Sequence, residues 1–134
     1  MQPFFFIRSD HRYVKVPFAD ILYLEADRNY IRIACRDKTH LALLSLKQME
    51  DVLPAKMFCR VHRSYIVAIS VIHSVDNNHV YLESIPNHKS RAIPVGSQYR
   101  KALNQHLNLV FSDVRGRGRV SKLSIESLIG DAEN

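Results

Sequence analysis

The feature that most constrains this chain is an apolar period of two, interrupted every few residues by turn-forming pairs. Ile31, Ile33 and Cys35 alternate with Arg32, Ala34 and Arg36, and Leu41 and Leu43 alternate with His40 and Ala42. That rhythm puts apolar side chains on one face of a strand and leaves the other face to solvent. Further strands are expected at Phe4–Ser9, Arg12–Val16, Ile21–Ala26, Val71–Val75, Val80–Ile85 and Arg91–Val95, with turns at Asp10-His11, Asp37-Lys38 and Asn77-Asn78. Connections this short join antiparallel neighbours and are too brief for helical crossovers, which excludes a doubly wound parallel sheet. The expected fold is mainly β, built of small antiparallel sheets and hairpins with one or two short α-helices.

Two segments depart from the period. Ser45-Leu46-Lys47-Gln48 has the form of a capping box, Leu46, Met49 and Leu53 follow at helical spacing, and Pro54 ends the run. A second helix is expected from about Ser97, with Tyr99, Leu103 and Leu107 in one stripe packed on the sheet. Beyond Phe111 the periodicity fades. The expected organisation is therefore one domain over residues 1–111 and a flexible basic tail over 112–134, in which 120–129 forms a weak helix or none.

Charge separates the classes of partner. Residues 1–111 hold 15 basic and 9 acidic side chains, so this part carries the whole formal charge of +6, while 112–134 hold 4 of each. A surplus of that sign suits a polyanion. Enzyme signatures are lacking: there is no Gly-rich phosphate loop among the four glycines, and the carboxylates are scattered. Cys59-x-x-His62 supplies two zinc-type ligands without a second pair at suitable spacing, so neither a metal nor a cofactor is expected. Cys35 and Cys59 are the only cysteines, and MQPFFFI is far too short to span a bilayer. A cytoplasmic protein with reduced thiols and no membrane partner is the expectation.

Basic and amide side chains that can touch phosphates or base edges stand at three places. The first is Arg28, Asn29 and Tyr30 with Arg32; the second is His62, Arg63 and Ser64; the third is Ser97 and Gln98 with Arg100 and Lys101, at a helix start whose free N–H groups also suit a phosphate. Taken singly, each has a plainer reading: a solvated cation, a turn residue with a left-handed backbone at Asn29, a packed aromatic at Tyr30, or a histidine at position 62 that braces its own loop.

The ordered runs EADRNYIRI at 25–33, FCRVHRSYIVAI at 58–69 and IPVGSQYRKAL at 93–103 together resemble the LytTR family, the DNA-binding output domain of many bacterial response regulators. The resemblance covers about residues 4–109. It implies a sequence-specific transcriptional regulator without catalytic activity, whose loops enter successive major grooves of direct-repeat sites in double-stranded DNA. It further implies that Arg28, Asn29, Tyr30 and Arg32 form one contact region, that His62 and Arg63 form the second, and that Ser97 and its neighbours form the third. Many relatives carry a basic residue where this chain has Ser97, so Gln98, Arg100 or Lys101 takes over the third contact or that loop touches phosphate alone. A homodimer on DNA, and a receiver domain or sensor partner outside this chain, are further implied partners; a stand-alone member and a piece of a longer protein both fit the sequence. Two rival readings are an RNA or general polyanion-binding module, which calls for exposed stacking aromatics, and a protein-interaction module docking through an edge strand.

Overall fold

The computed structural model describes residues 2–112 and 120–122. Its strands are β1 (Phe4–Ser9), β2 (Arg12–Pro17), β3 (Ile21–Asp27), β4 (Tyr30–Cys35), β5 (Thr39–Ala42), β6 (Phe58–His62), β7 (Tyr65–Ala68), β8 (Ile72–Val75), β9 (His79–Leu82), β10 (Ala92–Pro94), β11 (Val110–Ser112) and β12 (Val120–Lys122). Two helices, α1 (Leu46–Glu50) and α2 (Arg100–Leu107), interrupt them. Every pairing is antiparallel: a five-stranded sheet in the order β5-β4-β3-β7-β6, a three-stranded sheet β10-β9-β8, and the hairpins β1–β2 and β11–β12. The mainly-β class read from the alternation is the class observed.

The five-stranded sheet carries the core. Leu24, Ile31, Ile33, Val61, Ile66 and Val67 are sealed from solvent, joined from outside the sheet by Ile93 and by Leu103 of α2. The period of two survives in β4, where Ile31 and Ile33 are buried and Tyr30 and Arg32 exposed. It fails in β3: Ile21 and Leu22 are both buried, because a bulge between Ile21 and Tyr23 re-aims consecutive side chains to one side.

Helix α1 is short and relies on its cap. Ser45 accepts from the Gln48 N–H at 3.1 Å, and the Gln48 side chain accepts from the Ser45 N–H at 2.8 Å, so two otherwise orphaned donors are satisfied. Ser45→Ala is expected to destabilise the domain by about 1 kcal/mol, a fall of roughly 4–8 °C in midpoint for a domain of this size. Thermal unfolding followed by circular dichroism checks this, and an unchanged midpoint removes the cap from the stabilising interactions.

Several element boundaries differ from expectation. The run expected from Val71 begins as a 3-10 turn over Ile69–Val71, and the strand starts at Ile72. The strand expected to reach Ile85 ends at Leu82, shortly before Pro86, which has no N–H for a ladder. The second helix opens with a 3-10 turn, Ser97–Tyr99, before α2, and it ends at Asn108 in a left-handed conformation (φ 54°). Strand pairing also reaches past Phe111: β11 runs to Ser112 and pairs with β12, so Val120–Lys122 are extended where a weak helix or no structure was expected. The remainder of the expected tail, 113–119 and 123–134, lies outside the described residues.

Cys35 and Cys59 are buried free thiols, in keeping with the reduced state expected. Burial, reinforced by nearby carboxylates, pushes each up to about 11. Both are therefore thiols at neutral pH and poor nucleophiles.

Candidate nucleic-acid interface

The β3–β4 turn exposes Arg28, Asn29 and Tyr30. The residue in the left-handed region is Arg28 (φ 57°), not Asn29 as the turn chemistry suggested. An arginine there carries a steric cost of about 1–2 kcal/mol that glycine avoids. Strain of this kind persists where neighbouring structure imposes it. Arg28→Gly is expected to leave the folding midpoint unchanged or raise it while weakening DNA binding; a variant that melts earlier and binds as tightly as the parent contradicts both halves. Arg32, on the outward face of β4, is ion-paired with Asp27 at 2.9 Å, so its charge is partly offset. Both side chains are well exposed, which keeps the pair's contribution to stability small.

The β6–β7 hairpin presents the second group. A bulge between Arg60 and His62 precedes its turn. His62 is half-buried and its Nδ1 accepts from the Ser64 N–H at 3.1 Å, so the ring braces its own loop. An accepting Nδ1 leaves the ring proton on Nε2, which remains able to donate. Among the described residues no group of three His, Cys, Asp or Glu side chains that could hold a metal ion occurs. Arg63 is exposed at the tip, and no carboxylate pairs with it among the described residues.

Backbone bonds tie the three turns to one another. The Ala26 N–H donates to the Ser64 carbonyl at 2.9 Å, joining the end of β3 to the hairpin tip. The Gly96 N–H donates to the Val61 carbonyl at 2.8 Å, joining the segment before Ser97 to the same hairpin. A Cβ at position 96 would stand 3.1 Å from the Tyr99 ring, which would have to give by a few tenths of an ångström, and 3.9 Å from the His62 Cα, an ordinary contact. Arg28, Asn29, Tyr30 and Arg63 line one open depression of about 480 Å³, together with Lys47 and Arg60.

The third group divides. Ser97, Gln98 and Lys101 are exposed, as a contact requires. Arg100 is not: it is 5% exposed, its guanidinium donates to the Asp76 carbonyl, and burial lowers its pKa from the usual arginine value. It holds the β8–β9 turn against α2 and leaves the candidate contact set. The sequence showed its charge but not that its stem lies under that turn.

Arg60 is the residue that sequence reasoning missed. Its Nε donates to the His62 carbonyl at 3.1 Å, one terminal nitrogen donates to the Arg63 carbonyl at 2.6 Å, and the other pairs with Glu50 of α1 at 2.7 Å. The guanidinium also lies over the Tyr99 ring, 5.7 Å from its centroid. One cation thus fastens the hairpin tip to α1 and to the Ser97–Tyr99 turn. Its only sequence signal is an arginine between the apolar pair Phe58-Cys59 and Val61, in FCRVH.

Of the carboxylates beside this surface, Asp27 and Glu50 are ion-paired, which leaves Arg28, Arg63 and Lys47 without acidic partners among the described residues. Fixed turns that offer unpaired cations, amides and backbone N–H groups define a nucleic-acid-binding module, positive and preorganised. Comparison with known proteins agrees: the LytTr DNA-binding domain family matches residues 11–108, and the chain belongs to that family. It is 42% identical over 55 residues to the CO-responsive transcriptional regulator RcoM of Rhodospirillum rubrum, a match covering 41% of this chain and 23% of that protein. It is 34% identical over 58 residues to the heme-containing CO-sensing transcriptional regulator RcoM 2 of Paraburkholderia xenovorans, covering 43% of this chain and 22% of that protein. These matches span about a quarter of the length of the curated relatives. In three dimensions the chain resembles the LytTr DNA-binding domain of a methyl-accepting/DNA response regulator from Bacillus cereus, with a TM-score of 0.66 and 25% identity over 81% of this chain and all of that one.

Proposed function

We propose that this chain is the sequence-reading part of a transcriptional regulator, and that its three turns enter successive major grooves of duplex DNA carrying two copies of a short motif in the same orientation. The observation that carries the reading is the pair of backbone bonds, Ala26 to Ser64 and Gly96 to Val61, which make one rim of turns distant in sequence. In this reading Arg63 bonds a guanine edge bidentately, and His62 braces through Nδ1 while Nε2 donates to a base or phosphate. Arg28, Asn29 and Tyr30, supported by Arg32, form a second contact, and Ser97, Gln98 and Lys101 form a third at the helix start, where backbone N–H groups suit phosphate. Two copies of the chain occupy the paired sites, with a receiver domain or sensor partner supplying the signal.

Selection of bound molecules from a random duplex library tests this. The expected product is a motif repeated head to tail at a spacing of about 10–10.5 base pairs, one helical turn, or a multiple of it. Recovery of no motif, or displacement of the labelled duplex by single-stranded RNA at equal concentration, overturns the proposal.

A further inference from the structure

Eight large apolar side chains are exposed among the described residues, and five of them, Phe6, Tyr13, Leu41, Leu43 and Val52, line a single groove of about 1170 Å³. Exposed apolar residues scattered singly are ordinary, whereas a contiguous patch marks a surface that something covers. Residues of β1 and β5 line the groove, and each of these strands has one edge that no described strand pairs with. Strand β1 pairs only with β2, and β5 only with β4, among the described residues; the two lie side by side without a ladder between them. Each wall therefore presents backbone N–H and C=O groups that no described strand uses, the usual template for an added strand.

The rim is cationic. Arg8 and Lys38 line the groove against a single carboxylate, Asp10. Arg8 lies over the Tyr13 ring at 5.7 Å, so one of these charges sits directly on the apolar wall. Leu43 and Leu44 line both this groove and the depression between the candidate DNA-contacting turns, so the two sites share a wall.

We propose that this groove receives an extended acidic segment of another protein, apolar at alternate positions, added as a strand against β5. The strand edge requires an extended backbone. Side chains then alternate, so every second one faces Leu41, Phe6 and their neighbours, and carboxylates on the others meet Arg8 and Lys38. A nucleic acid satisfies the cations but not five apolar side chains. The inference goes beyond the DNA-binding reading and needs none of its residues, while the shared wall places the docked protein beside the duplex.

The test uses two labelled synthetic peptides, one alternating Leu, Val and Ile with Glu and Asp, the other identical except for Lys at each acidic position. Added to the full chain without DNA, the acidic peptide is expected to bind saturably, with backbone amide shifts confined to β1, β5 and Leu43–Leu44. Binding should fall at least ten-fold for the basic peptide and for Leu41→Ser, an exposed position whose variant should melt as the parent does. Equal binding of the two peptides, shifts elsewhere, or no binding at millimolar concentration overturns the proposal. So does a loss of about one unit in the salt slope of DNA binding on Arg8→Ser or Lys38→Ser, because those cations would then be phosphate contacts. The DNA-binding reading survives the peptide failures.

Discussion

Arg63→Ala is expected to bind its selected duplex about 1–3 kcal/mol more weakly than the parent, roughly a five- to 150-fold rise in Kd, with an unchanged melting midpoint. The two halves follow from where the fold puts its bonds. The hairpin tip is held by the His62 ring, by the Ser64 carbonyl and by Arg60 on the carbonyls of residues 62 and 63, and no bond to the Arg63 guanidinium appears among the described residues. Truncating that side chain removes a contact without loosening the support beneath it. Arg63→Lys sharpens the test, since it keeps the charge and discards the planar fork. Its salt slope should match the parent's while its preference for the selected duplex over random DNA falls. Wild-type affinity in the alanine variant sinks the assignment, and wild-type discrimination in the lysine variant reduces Arg63 to a phosphate contact.

Glu50→Gln gives the second large effect, and its sign decides between two explanations. The substitution removes a negative charge from a positive surface, so long-range electrostatics alone predicts tighter binding to every duplex. If Glu50 instead anchors Arg60, the guanidinium loses its fixed end, the hairpin tip gains freedom, and recognition suffers. The expected result is a discrimination ratio about ten-fold lower, roughly 1.4 kcal/mol, with random-sequence affinity equal or higher. Arg60→Gln should lower the same ratio further and destabilise the fold by about 1.5–3 kcal/mol, the range for hydrogen bonds to a charged group. Binding curves on selected and random duplexes, with thermal unfolding alongside, separate these outcomes. Uniform tightening by Glu50→Gln, with the ratio intact, ends the anchoring role.

What could be read from the residues was whatever one element decides by itself. An apolar run bounded by the Asp10-His11 turn pair located β1 at Phe4–Ser9 to the residue, and the Ser45–Gln48 cap formed as its spacing implied, because both depend on neighbours a few positions away. The segments that carry the three candidate contact groups are joined by the backbone bonds Ala26–Ser64 and Gly96–Val61, which no single element reveals. Features set by distant elements were opaque. Arg100 reads as a solvent-facing helix cation until the Asp76 carbonyl, 24 residues away, is placed over it. Arg60 reads as an outward strand residue until α1 brings Glu50 within reach. The bulge in β3 breaks the period because a partner strand, not local propensity, sets the register. Positive φ at Arg28 defeats residue preference in the same way: the flanking ladder from Asp27 to Tyr30 fixes the turn, and the side chain at its tip accommodates it.

The turns are joined to one another by main-chain atoms, Ala26 to Ser64 and Val61 to Gly96. Peptide groups are common to all residues, so these two joints do not depend on which side chains stand at positions 26, 61 and 64. In the proposed reading, positions 29, 63, 97 and 98 can be exchanged during divergence, and the operator vocabulary rewritten, while the backbone joints that present it are kept.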